Sequence, residues 1–144
     1  MIRALCEAAM RTIMIVDDSS TMRSLIKMSL QRIPGVVVVE ACSGKDALTK
    51  LKIGTPSLLL TDINMPEMDG LQLVEEIRKF KSMQELPVII VSTKGDTDDV
   101  FRGLQLGAND YLPKPINGLA LVEKVKRFLT VPPARPADSL RPTV

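Results

Sequence analysis

The chain has no tryptophan, one tyrosine and three phenylalanines, leaving too few rings to sandwich a flavin. It has two cysteines, Cys6 and Cys42, which share no metal-ligand or redox spacing. They read as free thiols of a reducing cytoplasm, and no disulfide is expected. No apolar run approaches the ~18 residues of a membrane span, and Arg3 and Glu7 interrupt the stretch where a secretory signal needs an apolar centre. An excess of one charge is also lacking: 19 Lys and Arg against 17 Asp and Glu leave a net charge of +2, which gives no argument for nucleic acid. A soluble, cytoplasmic protein that binds neither nucleic acid nor membrane is expected. Its 144 residues are most simply one domain able to bury a core.

What is present is an alternation of two periodicities. Short β-branched runs at 12–16, 36–39, 57–61, 87–92 and 110–112 predict five strands. Between them, apolar residues at 3/4 spacing predict helices. The first stripe is Met22, Leu25, Ile26, Leu30 and Ile33, closed by Pro34-Gly35; the second is Ala47, Leu48 and Leu51. Leu73, Val74, Ile77 and Phe80 mark a third, Val100, Phe101 and Leu104 a fourth, and Leu121, Val122, Val125 and Leu129 a fifth. The result is an α/β chain of (βα)5 form. Near-continuously apolar strands have both faces covered, so a doubly wound, parallel five-stranded sheet with helices on both sides is expected. Residues 1–9 form an N-terminal extension and residues 10–131 the domain. Residues 132–144, with four prolines and little to bury, read as a disordered tail or linker stub.

Two of the apolar runs empty into acids, one into Asp17-Asp18 and one into Asp62. In an open parallel sheet, chemistry sits beyond the carboxyl ends of the strands, so these acids can meet. Two unit charges ~4 Å apart repel by about 4 kcal/mol at an effective dielectric near 20, so a fold that gathers three needs a cation. Mg²⁺ accepts such a site, keeping several waters and taking one or two carboxylates with a phosphate oxygen. A calcium loop starting at Asp62 fails, because Glu67 stands where glycine is needed and Leu73 where a bidentate glutamate is needed. Ser92 and Thr93 follow the fourth strand and Lys114-Pro115 the fifth. A cation site, a carboxylate nucleophile, a hydroxyl donor and a positive clamp on one rim are the parts of phosphoryl transfer to a carboxylate.

Asp17-Asp18, Asp62 with Asn64-Met65-Pro66 and Asp69-Gly70, Ser92, and Lys114-Pro115 together resemble the receiver domain of two-component response regulators. The stretch Val16-Asp17-Asp18-Ser19-Ser20-Thr21-Met22-Arg23 is especially similar to the CheY-like chemotaxis receivers, and the likeness covers about residues 11–130. The resemblance implies a flavodoxin-like strand order, 2-1-3-4-5. It implies that Asp62 accepts a phosphoryl group from a sensor histidine kinase. Asp18, Asp62 and the Asn64 backbone carbonyl would bind Mg²⁺, with Asp17 acting through a metal-bound water. Ser92 and Lys114 would read the phosphate and Tyr111 would swing inward behind Ser92. The fourth helix, fifth strand and fifth helix would form the face for a downstream protein, possession of a cis Lys114–Pro115 bond is expected, and so is a monomer. Chemistry beyond self-catalysed phosphorylation and dephosphorylation is not expected.

Plainer roles stand beside these. Asp17 and Asp18 also suit capping of the helix that begins near Ser20, and Asp69-Gly70 suits a turn and helix start. Tyr111 also fits a core position, Ser92 a passive strand end, and Lys124, Lys126 and Arg127 a solvated face. Among other functions, a haloacid-dehalogenase-type phosphohydrolase needs a second aspartate two residues past the nucleophile, where this chain has Asn64. A receiver cut from a larger regulator is a further alternative. The chain departs from rotor-binding chemotaxis receivers at Lys94, where they carry an acid, and at Thr93, where a smaller residue is usual. Both changes are expected to prolong the phosphorylated state, against Asn64, which matches the fast-decaying pattern.

Overall fold

The computed structural model describes residues 11–93 and 97–130. The expected extension (1–9) and tail (132–144) lie outside the described residues, as does Lys94. Five parallel strands, β1 (Arg11–Val16), β2 (Val36–Ala41), β3 (Leu58–Asp62), β4 (Val88–Thr93) and β5 (Asp110–Lys114), form one sheet in the order β2-β1-β3-β4-β5. The helices are α1 (Ser20–Leu30), α2 (Gly44–Ile53), α3 (Gly70–Arg78), α4 (Thr97–Leu106) and α5 (Gly118–Thr130). Strands and helices thus follow the expected order. The two edge strands run longer than their apolar runs, β2 through Glu40 and β5 through Pro113 and Lys114. An edge strand pairs on one side only, so polar residues and a proline fit it.

Local chemistry fixes the helix starts. Ser19 caps α1, its hydroxyl accepting from the Met22 N–H at 3.2 Å, and Ser43 caps α2 in the same way. Asp69 and Gln72 make a reciprocal capping box at α3, so Asp69 serves the helix start. Gly35, at φ 78°, makes the left-handed turn into β2 and its carbonyl accepts from Arg11 N–H.

Strand residues alternate between two cores. Ile13, Ile15, Leu58, Leu60 and Ile89 point to the side of α1 and α5, packing with Ile26, Leu30, Leu121 and Val125. Met14, Val16, Leu59, Val88 and Ile90 point the other way, with Leu51, Leu73, Val74 and Ile77 of α2 and α3. The stripe expected on α4 is not a core face. Phe101 is 62% exposed, and Gly103 is the helix's one buried residue. A Cβ at Gly103 would lie 2.6 Å from Ile90 Cδ1 and 3.0 Å from Leu71 Cδ2, so α4 seats its backbone closely on β4 and α3, with Phe101 and Leu104 turned away and Leu106 partly buried against the core. Leu25 of α1 and Phe80, beyond the end of α3, are likewise exposed.

Candidate functional site

Parallel register converts motifs far apart in sequence into one cluster. Val16 pairs with Thr61, which sets Asp17 beside Asp62; Asp62 pairs with Val91, which sets Ser92 next along the rim; Thr93 pairs with Lys114. Asp17, Asp62 and Ser92 are buried and Asp18 is exposed. Oxygen atoms of Asp17, Asp18 and Asp62 lie within 4.8 Å of one another. Asn64 is exposed in the loop two residues past Asp62, and Thr93 is exposed at the end of β4.

The backbone under Asp62 is clamped. The Thr61 hydroxyl donates to the Asp62 carbonyl at 2.9 Å, and Gly70 N–H donates to the Ile63 carbonyl at 2.8 Å. A Cβ at Gly70 would overlap the Asp62 carbonyl oxygen and come within 2.9 Å of Ile63 Cα, so only glycine fits this approach.

The electrostatics are unbalanced. Lys114 Nζ lies 3.2 Å from Asp62 Oδ1 and 4.0 Å from Asp17 Oδ2. Yet among the described residues neither oxygen has a hydrogen-bond partner, so Lys114 meets Asp62 as an unaligned ion pair. Burial pushes the Asp17 carboxyl above the ordinary aspartate value; the Ser19 N–H opposes this, the Asp62 charge adds to it, Lys114 opposes it and Asp18 adds to it. Two buried, unpartnered carboxylate oxygens beside a third carboxylate form a hard, all-oxygen donor set, and these residues fit a Mg²⁺ ion.

Beside the acids, a cavity of about 610 Å³ separates α4 from β5, reaching from Ser92 and Lys114 to Phe101, Leu104 and Tyr111. Tyr111 is 40% exposed at its mouth and is therefore no core aromatic. The ammonium of Lys124 sits 5.3 Å from the Tyr111 ring centroid and donates to the Tyr111 carbonyl at 2.8 Å. The Lys114–Pro115 bond is cis. Sequence reasoning missed the contacts of Lys124 and of Arg23, which reaches the Asp17 carbonyl at 2.7 Å. Both are long side chains that cross between elements, and a helix pattern reads them only as surface charge.

This fold and rim define the class. The chain belongs to the response regulator receiver domain family, whose family model matches residues 13–126. It is 41% identical over 118 residues to the chemotaxis protein CheY1 of Helicobacter pylori, covering 81% of this chain and 95% of that one. It is 42% identical over 118 residues to a chemotaxis protein CheY homolog of Campylobacter jejuni, covering 81% and 91%. Among solved structures, chemotaxis protein CheY4 of Vibrio cholerae superposes with a TM-score of 0.77 at 28% identity, over 83% of this chain and 98% of that one. The chain is thus a CheY-type receiver, a phosphoacceptor of two-component signalling related to chemotaxis, whose class implies a histidine kinase partner. Such receivers are signalling phosphoacceptors and not conventional enzymes. Among the described residues, no helix is long and apolar enough to cross a membrane.

Proposed function

We propose that Asp62 accepts a phosphoryl group from the phosphohistidine of a sensor histidine kinase, with Mg²⁺ held by Asp17, Asp18, Asp62 and the Asn64 backbone carbonyl. The observation that carries this reading is the pair of buried, unpartnered oxygens, Asp17 Oδ2 and Asp62 Oδ1, facing one ammonium. The 144 residues contain no histidine, so the donor imidazole lies outside them. An Asp62 oxygen attacks phosphorus, the P–N bond breaks, and its electron pair stays on that nitrogen, so that the donor imidazole, which carries its proton on the other ring nitrogen, departs neutral. Mg²⁺, when bound, neutralises the carboxylates that would repel the donor and orients the transferring oxygens.

The chain's own groups do the rest. Lys114 offers its ammonium to the phosphoryl oxygens and Ser92 donates its hydroxyl to one of them. As Ser92 turns toward the phosphoryl group, Tyr111 gains room to enter the cavity beside it. The surface of α4, β5 and α5 changes accordingly, and a downstream protein docks there. Thr93 narrows the path of attacking water and Lys94 brings a positive charge where the rotor-binding receivers carry an acid, so the pair prolong the signal. The receiver works as a cytoplasmic monomer.

The test is intact-mass spectrometry after incubation with acetyl phosphate. One phosphoryl group per chain is expected with Mg²⁺, and none with excess chelator or in Asp62→Asn. Full labelling of Asp62→Asn, or of the wild type in chelator, would overturn the assignment.

A further inference from the structure

Behind the acids, Arg23 joins three elements. From α1, its Nη1 donates to the Asp17 carbonyl oxygen at 2.7 Å, and its Nε donates to Glu40 Oε1 on β2 at 2.9 Å. Its side chain is only 16% exposed. The Arg23 guanidinium, through its hydrogen bond, holds the Glu40 carboxyl below its usual value. Two further contacts hold the same stretch of backbone: Asp17 N–H donates to the Ala41 carbonyl at 3.1 Å, and Ser19 N–H donates to Asp17 Oδ1 at 2.9 Å. The carbonyl that Arg23 grips belongs to the peptide linking Asp17 to Asp18. Asp18 is exposed and takes its direction from that peptide.

We infer that Arg23 is a positioning residue for the cation site: by fixing the plane of the Asp17–Asp18 peptide, it aims the Asp18 carboxylate at the space shared with Asp17 and Asp62. The inference rests on the reading of that cluster as a Mg²⁺ site. Glu40 completes the brace, holding the guanidinium from the β2 side so that it cannot swing off the carbonyl. The direction of the effect separates positioning from charge. A cation near a metal site repels the metal, so an Arg23 that acted only by charge would weaken metal binding, and its removal would tighten it. Loss of positioning has the opposite sign, and partners that orient metal ligands typically matter about 10–100-fold in affinity.

The experiment titrates the full chain with Mn²⁺, followed by the EPR signal of the free ion, with Mg²⁺ as competitor. The proteins are wild type, Arg23→Met, Arg23→Lys, Glu40→Gln and Lys27→Met. Lys27 is a useful control because its ammonium also approaches Glu40, at 3.7 Å. Arg23→Met is expected to weaken Mn²⁺ binding about 10-fold or more, with partial recovery in Arg23→Lys and a smaller loss in Glu40→Gln. Lys27→Met should bind as tightly as wild type, or tighter. Equal or tighter binding by Arg23→Met overturns the inference, as does an equal loss in Lys27→Met. Where Arg23→Met fails to fold, judged by circular dichroism, Arg23→Lys carries the test, since it keeps the charge and loses the fork: binding as tight as wild type or tighter overturns the inference. Failure of the wild type to bind Mn²⁺ would instead bring down the reading of the site, and the inference with it.

Discussion

Replacing Asp17 by Asn should make the metal-free protein more stable and the metal-loaded protein less so. The ligand oxygens of the three acids lie within 4.8 Å of one another, so at an effective dielectric near 20 Asp17 and Asp62 repel by at least about 3.5 kcal/mol. Lys114, 4.0 Å from Asp17, returns about 4 kcal/mol. These two terms nearly cancel, leaving burial and the charge of Asp18 against the Ser19 N–H. Burial is the largest of the three and opposes ionisation, in line with the raised Asp17 value. An acid whose folded value is raised loses stability as pH rises past the ordinary aspartate range, so at neutral pH the ionised Asp17 burdens the fold. Asn keeps an oxygen for the Ser19 N–H and removes the charge. A gain of about 1–2 kcal/mol is expected, or roughly 4–8 °C in melting temperature for a domain of this size. Mg²⁺ at about 100 times its Kd should add about 2.7 kcal/mol to the wild type and little to the variant, reversing their order. Calorimetric or urea melts at neutral pH, in EDTA and in Mg²⁺, measure both. The gap in EDTA should narrow as pH falls below the aspartate range. A variant that melts below wild type in EDTA would refute the reasoning.

Gly70→Ala should cost about 3 kcal/mol, because its Cβ meets the backbone of Asp62 and Ile63, which cannot yield as a flexible side chain would; urea denaturation measures this. Asn109→Ala should cost about 1–3 kcal/mol in the same assay, since Asn109 Oδ1 accepts from both Val88 N–H and Arg78 Nη2, at 2.9 and 3.1 Å. Lys124→Met should weaken the hold on the outward Tyr111 ring by about 0.5–1 kcal/mol. Tyr111 is the one tyrosine in a chain without tryptophan, so reduced acrylamide quenching of tyrosine emission reports the inward turn, and unchanged quenching counts against a hold by Lys124. Thr93→Ala/Lys94→Glu should lose its phosphoryl group faster than wild type, and equal or slower decay would discard the shielding role.

The order of strands and helices was legible because each periodicity reports which sides of an element are covered, and this sheet is covered on both. The meeting of Asp17, Asp18 and Asp62 was legible through the rule that parallel strands gather their carboxyl ends at one rim. What that rule cannot supply is alignment. The unpartnered oxygens of Asp17 and Asp62, and the approach of Lys114 without a hydrogen bond, depend on register and rotamer. The stripe on α4 misled because Val100, Phe101 and Leu104 have the same spacing whether they face a core or the mouth of a cavity. Gly103, which carries no hydropathic weight, decided which side of the helix meets the sheet. Arg23 stood in plain view within the first motif, but its partner Glu40 ends a different apolar run.

Because Gly103 is the one buried residue of α4, with Leu106 at its end only partly buried against the core, the domain divides its labour by stiffness. Shifting α1 or α5 would open a core, whereas sliding α4 would draw chiefly Gly103 and Leu106 off their neighbours. On the proposed function, the drive for such a shift is a few charge-assisted hydrogen bonds at Asp62, each about 1.5–3 kcal/mol. Such a coupling would run in both directions, because coupling between two binding sites is reciprocal. A protein that grips α4 only in its shifted position must tighten the hold of the distant acids on a phosphoryl mimic by the same factor that the mimic tightens the grip. A listener of that kind, in binding, would help keep the message written.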